Sequence, residues 1–295
     1  MKKVLGNMNA FDVADLLDGL GDRHALDVRE VALMSDQDVE LNFLNWPWDK
    51  DDPIWKFTSH AYGFIPPADS RSDAQVSIVN AGNIIADTAL KDQAIKITLD
   101  RLVVRDYPGK GVHHILFDFY AQHQTTGQAQ DLHFTQTYRV QEGQSAPISG
   151  YPIFVGLNVG SEGVAFKCQT INVKNEADEK LLGIMEGDAF KKGLQLVNTV
   201  NPAIPVVTGF ATGITKAVLN GKKNVPVQAF DLGLDFSTIQ TRAKLKEGSY
   251  VVVQAPLPFD WAQWVYSPTS GQIISTADPA TSIPYNYIVF SISKM

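Results

Sequence analysis

Apolar and polar residues alternate through most of the chain, and this alternation constrains the fold more than any other feature of the sequence. Successive side chains of a strand point to opposite faces, so alternation predicts strands with one buried face. Turn-rich pieces, such as residues 107–111 and 125–131, separate the alternating runs. The predicted strands are residues 94–104, 112–122, 132–140, 153–159, 164–173, 225–236, 249–254, 264–266, 273–276 and 287–293.

These strands are not regularly separated by helical patterns, which favours antiparallel pairing over a parallel α/β fold. Around residues 95–120, two predicted strands flank a loop that contains Pro108 and Gly109. This arrangement is similar to that of C2-type sandwiches at the level of the fold. We expect an α+β fold that is mainly β: an antiparallel β-sandwich, loosely C2-like, with an N-terminal helical arm and a helical hairpin inserted between strands.

The helical arm is predicted at residues 9–21. Asn9 is a suitable N-cap, and Gly21 is a suitable end. Helical spacing puts four aliphatic residues on one face, which we expect to bind a protein partner: Val13, Leu16, Leu17 and Leu20. The alternative is that this face packs against the arm's own domain.

An uncharged stretch, residues 193–215, lies between Lys192 and Lys216. Its length is close to the roughly 20 residues that cross a bilayer. Amide side chains, Pro202 and Pro205 interrupt its apolar character, which favours helices packed within a water-soluble domain.

We therefore predict a helical hairpin at about residues 176–221, broken near Asn201. Gly209 and Gly213 are spaced so that a neighbouring backbone can approach closely at a helix crossing. In the alternative interpretation, the 191–223 segment leaves the domain after a trigger and inserts into a membrane.

Two parts of the chain differ in pattern. Residues 1–75 combine the helical arm with an irregular, aromatic-rich segment, and residues 76–295 form the predicted sandwich with its helical insert. Trp46, Trp48 and Trp55 in the first part offer a platform for a sugar or peptide, or else they pack against an edge of the core.

The formal net charge of -7 and the pI near 5.3 disfavour nucleic-acid binding, which depends on clustered Lys and Arg. The single cysteine, Cys168, excludes an internal disulfide and a cysteine-based zinc site. Gly6 and Asn7 break the first apolar run before it reaches signal-peptide length. We expect a soluble, cytoplasmic protein, with non-classical export as the alternative.

The sequence contains no nucleophile elbow, His-Glu-x-x-His motif, Walker loop or dinucleotide fingerprint, which favours a protein without catalytic activity. Catalytic groups scattered in the sequence are the alternative. Calcium binds converging oxygen ligands, and three aspartates that bracket one turn are the candidates: Asp100, Asp106 and Asp118. Ordinary surface carboxylates are the other interpretation, in which the protein holds no cofactor.

Four of the six histidines lie close together in the sequence: His113, His114, His123 and His133. Matching the apolar faces of the predicted hairpin pairs Ala121 with Phe134. In that register His123 and His133 lie on opposite sides, and adjacent histidines point apart, so we do not expect them to share a metal.

These features predict a non-catalytic binding or assembly module that acts through protein–protein contacts or self-association. The alternative is a membrane-active or pore-forming protein that inserts the 191–223 segment after a trigger.

Overall fold

The structure, a computed structural model, describes residues 53–67, 74–125, 128–174, 224–239 and 242–295. The described residues form fourteen strands and three short 3-10 helices, Ile54–Lys56, Thr88–Leu90 and Trp261–Gln263. The strands are β1 (His60–Ile65), β2 (Val76–Ser77), β3 (Val79–Asn80), β4 (Ala94–Val103), β5 (Val112–Thr125), β6 (Gln128–Gln141), β7 (Tyr151–Asn158), β8 (Gly163–Val173), β9 (Val225–Asp235), β10 (Ala243–Lys244), β11 (Gly248–Gln254), β12 (Trp264–Ser267), β13 (Gln272–Ser275) and β14 (Asn286–Lys294).

These strands form three sheets. The six-stranded sheet has the order β3-β1-β11-β14-β4-β7, the five-stranded sheet β10-β9-β8-β5-β6, and the three-stranded sheet β13-β12-β2. The pairs within them are antiparallel, except for the short parallel pair of β9 with β10.

The main core lies between the six-stranded and five-stranded sheets. The ring of Phe290, on β14, lies 5.7 Å from the ring of Phe119 on β5 and 5.9 Å from that of Phe166 on β8. A second core lies between the six-stranded and three-stranded sheets, where Trp261 clusters with Val251 and other buried residues. The six-stranded sheet is therefore the middle of three layers.

Burial on both faces explains the sequence of the middle sheet. Residues 250–254 of β11 and residues 286–290 of β14 are each buried without interruption. A strand covered on both faces has a continuous apolar run instead of an alternating one. In the five-stranded sheet, β9 alternates between buried and exposed residues, as expected for a strand whose core lies on one face, whereas residues 170–173 of β8 and residues 132–135 of β6 are each buried without interruption.

The predicted mainly β fold with antiparallel sheets is confirmed, and all ten predicted strands are present, with ends shifted by a few residues. The described residues contain no α-helix. The predicted arm at 9–21 and the predicted hairpin at about 176–221 lie outside the described residues, and so do their site residues Val13, Leu16, Leu17, Leu20, Gly209 and Gly213. The C2-like arrangement stays a prediction.

The sequence pattern did not predict β1, β2, β3 or β10. β1 falls within residues 1–75, yet it pairs with β11 through six residues of the middle sheet. Gly63 interrupts its apolar pattern, because a Cβ atom there would lie 2.6 Å from the indole of Trp261. The middle sheet thus includes residues from both parts into which the sequence pattern divides the chain.

The hairpin of β5 and β6 has a different register from the predicted one. Ala121 pairs with Leu132, and Phe119 pairs with Phe134, so the predicted pairing of Ala121 with Phe134 was wrong by two residues. A shift of two residues keeps every side chain on its face, which is why the buried faces were predicted correctly. The position of the turn sets the register, and the apolar pattern does not mark it.

Candidate functional site at the β6 edge

β6 is the edge strand of the five-stranded sheet. It pairs with β5 at fourteen consecutive positions, from Val112 with Gln141 to Thr125 with Gln128, without a register shift. At about 3.4 Å per residue, such a strand is about 45 Å long. Within the described part of the chain, no strand pairs with the other side of β6. The N–H and C=O groups on that side of an edge strand can pair with another chain.

The other edges of the described sheets are short or irregular. β2, β3 and β10 have two residues each, and β13 has four. The backbone N–H of Lys244 on β10 donates to the carbonyl of Ala81, just after β3, at 2.9 Å. β7 has eight residues, but it contains Pro152 and Gly156 and pairs with β4 through two register shifts. Short strands, proline and bulges prevent strand addition, so β6 stands apart from these edges.

The residue content of β6 adds to this contrast. β6 has no proline, glycine or lysine, and only one aspartate and one arginine, Asp131 and Arg139. Threonine, tyrosine, phenylalanine and valine of β6 favour extended backbone. No proline or glycine therefore interrupts the strand, and β6 has only two of the charged side chains that usually protect a long edge.

The inner face of β6 is fixed in the main core. Leu132, Phe134 and Val140 are buried there. The ring of Phe134 lies 5.8 Å from that of Tyr151 on β7, and the ring of Tyr138 lies 6.3 Å from that of Phe117 on β5. Burial raises the pKa of the Tyr138 hydroxyl, which keeps it neutral. β6 is therefore held in an extended form by packing.

A polar cluster joins the outer faces of β5 and β6. Nε2 of His133 donates to Oδ1 of Asp118, and the hydroxyl of Thr135 donates to the same oxygen at 3.1 Å. The side chains of His133 and Asp118 are 6% and 14% exposed. Cross-strand polar contacts of this kind stabilise a sheet pair. This cluster holds β6 against β5 in one register.

The sequence-predicted calcium ligands have separate roles in the structure. Asp118 belongs to the polar cluster on β5. Asp100 lies on β4, where burial raises its pKa to about 6 and Ser291 donates a hydrogen bond to it. Asp106 follows β4, and one of its carboxylate oxygens accepts from the backbone N–H of Ile54 at 2.6 Å. In the described ranges, no three His, Cys, Asp or Glu side chains form a group that could hold a metal. Calcium binding remains a prediction.

His113 and Cys168 face the main core. Burial, followed by the charge of Lys174, lowers the pKa of His113 to about 4. Nδ2 of Asn172 lies 3.3 Å from Nδ1 of His113. Cys168 is fully buried, and burial raises the pKa of its thiol. Since a thiolate is the reactive form, the structure favours Cys168 as an apolar strand residue.

Sequence reasoning missed a buried amide pair, Gln254 on β11 and Asn286 on β14. Nε2 of Gln254 donates to the carbonyls of Phe57 and Val227 at 2.7 and 2.9 Å. Oδ1 of Asn286 accepts from the backbone N–H groups of residues 105 and 106, and its Nδ2 donates to Oε1 of Gln254 at 2.9 Å. The pair fixes the chain before β1 and after β4. The available signal in the sequence was an amide residue at one end of an apolar strand: Gln254 is the last residue of β11, and Asn286 is the first residue of β14.

A cleft of about 540 Å³ lies at the opposite edge of the five-stranded sheet. Tyr62, Asp231, Asp235 and Arg242 contribute to its lining. Two of its carboxylates form ion pairs: Asp231 lies 3.2 Å from Lys167, and Asp235 lies 3.4 Å from Arg242. Burial, followed by the charge of Asp231, raises the pKa of Tyr62 to about 12. These contacts join β8 to β9 and β9 to the residue before β10, so the ion pairs have a structural role.

Of the predicted aromatic platform, Trp55 alone lies in the described residues, and it packs against the main core. Its carbonyl accepts from Gln254 at 3.3 Å. Trp46 and Trp48 lie outside the described residues. For Trp55, the alternative of packing against an edge of the core is confirmed.

The described residues form a three-layered, mainly antiparallel β structure in which β6 is the one long regular edge. Comparison of the chain with protein-family models, with curated proteins and with solved structures finds no match. Among the described residues, no helix is both long enough and apolar enough to span a membrane.

Proposed function

We propose that the protein is a non-catalytic binding and assembly module that joins another chain by strand addition at the β6 edge. The observation that carries the proposal is the contrast between β6, with fourteen positions in unbroken register, and the short or irregular edges elsewhere in the described sheets. In strand addition, main-chain hydrogen bonds supply affinity, and alternate side chains supply specificity.

The anchoring of β6 also supports this function. Its inner face packs in the main core, and the Asp118–His133–Thr135 cluster ties its outer face to β5. A strand that is already ordered loses little conformational entropy when it pairs, which improves affinity. The β6 edge is thus prepared for binding before the partner arrives.

Proline substitutions at two adjacent positions test the proposal. In an antiparallel pair, the N–H groups of neighbouring residues point to opposite sides of the strand. One of Gln136→Pro and Thr137→Pro therefore removes an N–H bonded to β5 and destabilises the fold, whereas the other removes an N–H on the outer edge. We expect the second variant to remain folded and to lose association.

Association is measured by sedimentation velocity from low to high micromolar protein, and folding is measured by circular dichroism. The wild-type chain is expected to form oligomers that the folded proline variant does not form. The same association state in the wild type and in the folded variant contradicts the proposal.

The membrane-active alternative depends on the 191–223 segment, which lies outside the described residues. It remains a prediction from the sequence. Leakage of liposomes at acidic pH, with calcium or after proteolysis tests it, and no leakage under all three conditions contradicts it.

A further inference from the structure

We propose that the chain added to β6 is β6 of a second copy, in one antiparallel register centred on Thr135. This inference rests on the proposed function and adds to it the partner and the register. The two copies would then share one ten-stranded sheet, with a two-fold axis at Thr135.

The alternation of β6 favours a pairing centred on a residue. In that arrangement, positions equally distant from the centre pair, so inner residues stand opposite inner residues and outer residues opposite outer residues. Leu132 stands opposite Tyr138 of the second copy, and the apolar face continues across the junction. A pairing centred between two residues would place each apolar face beside an outer face, which sheets with one buried face disfavour.

The charges of β6 select Thr135 as the centre. Positions 131 and 139, an aspartate and an arginine, each lie four residues from Thr135. In the proposed register, Asp131 of each copy stands opposite Arg139 of the other copy, so the dimer has two opposite-charge pairs. A centre at Phe134 or Gln136 provides neither of these pairs. Opposite charges directly across a strand pair stabilise it, and like charges destabilise it.

Gln136 provides a second, independent argument for a register centred on Thr135. Its Oε1 atom is buried and has no hydrogen-bond partner among the described residues. In the proposed register, Gln136 of each copy stands opposite Phe134 of the other, so the two glutamines are diagonal neighbours about 7–8 Å apart, within reach of long side chains. Nε2 of each can then donate to Oε1 of the other. A buried acceptor without a partner is unfavourable, so pairing removes this defect.

Pairing through β6 is expected to stop at two copies. Pairing through β6 uses the same strand in both copies, as a two-fold interface requires. The opposite edge of the five-stranded sheet, β10, has two residues and offers little for a further strand. A dimer is therefore expected instead of a fibre.

Two charge variants test the register. Asp131→Arg places arginines opposite arginines, and Arg139→Glu places acids opposite acids. Each variant alone is expected to self-associate about tenfold more weakly than the wild type, or worse, because two favourable pairs become unfavourable. An equimolar mixture restores both opposite-charge pairs, so we expect heterodimers with an affinity near that of the wild type.

The mixing step separates the proposed contact from effects within one chain. Arg139 also has an interaction in its own chain, so its replacement alone does not decide the question. An internal role of Arg139 cannot be restored by adding a different variant. The matched control is Lys91→Glu, which makes the same charge change at an exposed site outside β6 and should leave dimerisation unchanged.

Sedimentation velocity of the variants and of their mixture gives the result. Restored dimerisation in the mixture is the expected result. Single variants that dimerise like the wild type, or a mixture that stays monomeric, overturn the register. If the folded proline variant loses association while the charge variants keep it, strand addition at β6 is supported and the register centred on Thr135 is wrong. If neither set of variants changes association, both proposals fall.

Discussion

At the centre of the molecule, β11 and β14 are covered on both faces and paired on both sides, whereas β6 is paired, among the described strands, on one side. β11 and β14 also have five consecutive buried residues each, while β6 has four, residues 132–135, followed by the half-buried Gln136 and Tyr138 and the exposed Arg139. Among the described residues, both central strands are paired with neighbouring strands on either side. On the side of β6 where no described strand pairs, the backbone can take a further strand.

This difference separates stability from association. A substitution in the central sheet should change the free energy of unfolding and leave the affinity of the folded chains unchanged. A substitution on the β6 edge should change the affinity of the folded chains and leave the free energy of unfolding nearly unchanged.

The largest expected effect belongs to Phe290→Ala in β14. The ring of Phe290 lies within 6 Å of the rings of Phe119, Phe166 and Tyr250, so truncation leaves a cavity between the sheets. We expect a loss of about 3–5 kcal/mol in the free energy of unfolding, measured by urea denaturation. A loss under about 1 kcal/mol would show that the core between these sheets is loosely packed.

His60 of β1 should make stability depend on pH. Burial lowers its pKa to about 4 from an ordinary value of 6.5, although the hydrogen bond that the ring donates to the backbone of Thr58 opposes this. Between these two pKa values, His60 binds a proton in the unfolded chain and not in the folded chain. The free energy of unfolding therefore falls as the pH falls from 6.5 to 4. The total loss is about 3 kcal/mol.

Comparison with His60→Gln isolates this effect. Asp100 acts in the opposite direction, because its pKa is raised to about 6 and its contribution to stability falls as the pH rises from 3.8 towards 6. Asp100 is present in both proteins, so its effect cancels. Urea denaturation at several pH values should give a flatter profile for the variant. Identical profiles would place His60 in a solvated environment.

Asn286→Ala is expected to have a smaller effect. It leaves the backbone N–H groups of Arg105 and Asp106 without their acceptor and removes the donor to Gln254. We expect a loss of about 2 kcal/mol in unfolding free energy. The exposed Asn83→Ala is the matched control and should change stability by about 0.5 kcal/mol or less. Equal effects at both positions would show that the buried amide pair does not stabilise the fold.

The smallest effect on stability is expected at the edge, for Gln136→Leu. Leucine removes a buried oxygen that lacks a partner, so the free energy of unfolding should change by about 1 kcal/mol or less. Self-association should weaken several-fold, because the glutamine pair across the two-fold axis is lost. Unfolding measured below the dissociation constant, together with sedimentation velocity, separates the two quantities. A large loss of stability with unchanged association contradicts the comparison.

Much of the fold follows from the sequence, because alternation and turn residues are local signals. They predicted ten of the strands and the buried faces of β5 and β6. β1 was missed because Gly63 leaves room for Trp261, which is nearly 200 residues away in the chain. The same limit applies to the register of β5 with β6, which the turn decides.

The candidate site could not be predicted in this way. The residues of β6 alternate like those of other strands, and its position at an edge depends on the order of strands in the sheet. Asp118 was predicted as a calcium ligand from its neighbours in the sequence, whereas its structural neighbours are His133 and Thr135. Pairing across strands brings together residues that the sequence separates.

The central claim is that the side of β6 away from β5 gains a strand. Amide hydrogen exchange measured residue by residue at low and high protein concentration tests it most directly. At low concentration, alternate amides of β6 should exchange quickly while those bonded to β5 are protected, and at high concentration both sets should be protected. Amides of β11 should be protected throughout. A β6 exchange pattern that does not change with concentration would contradict the account.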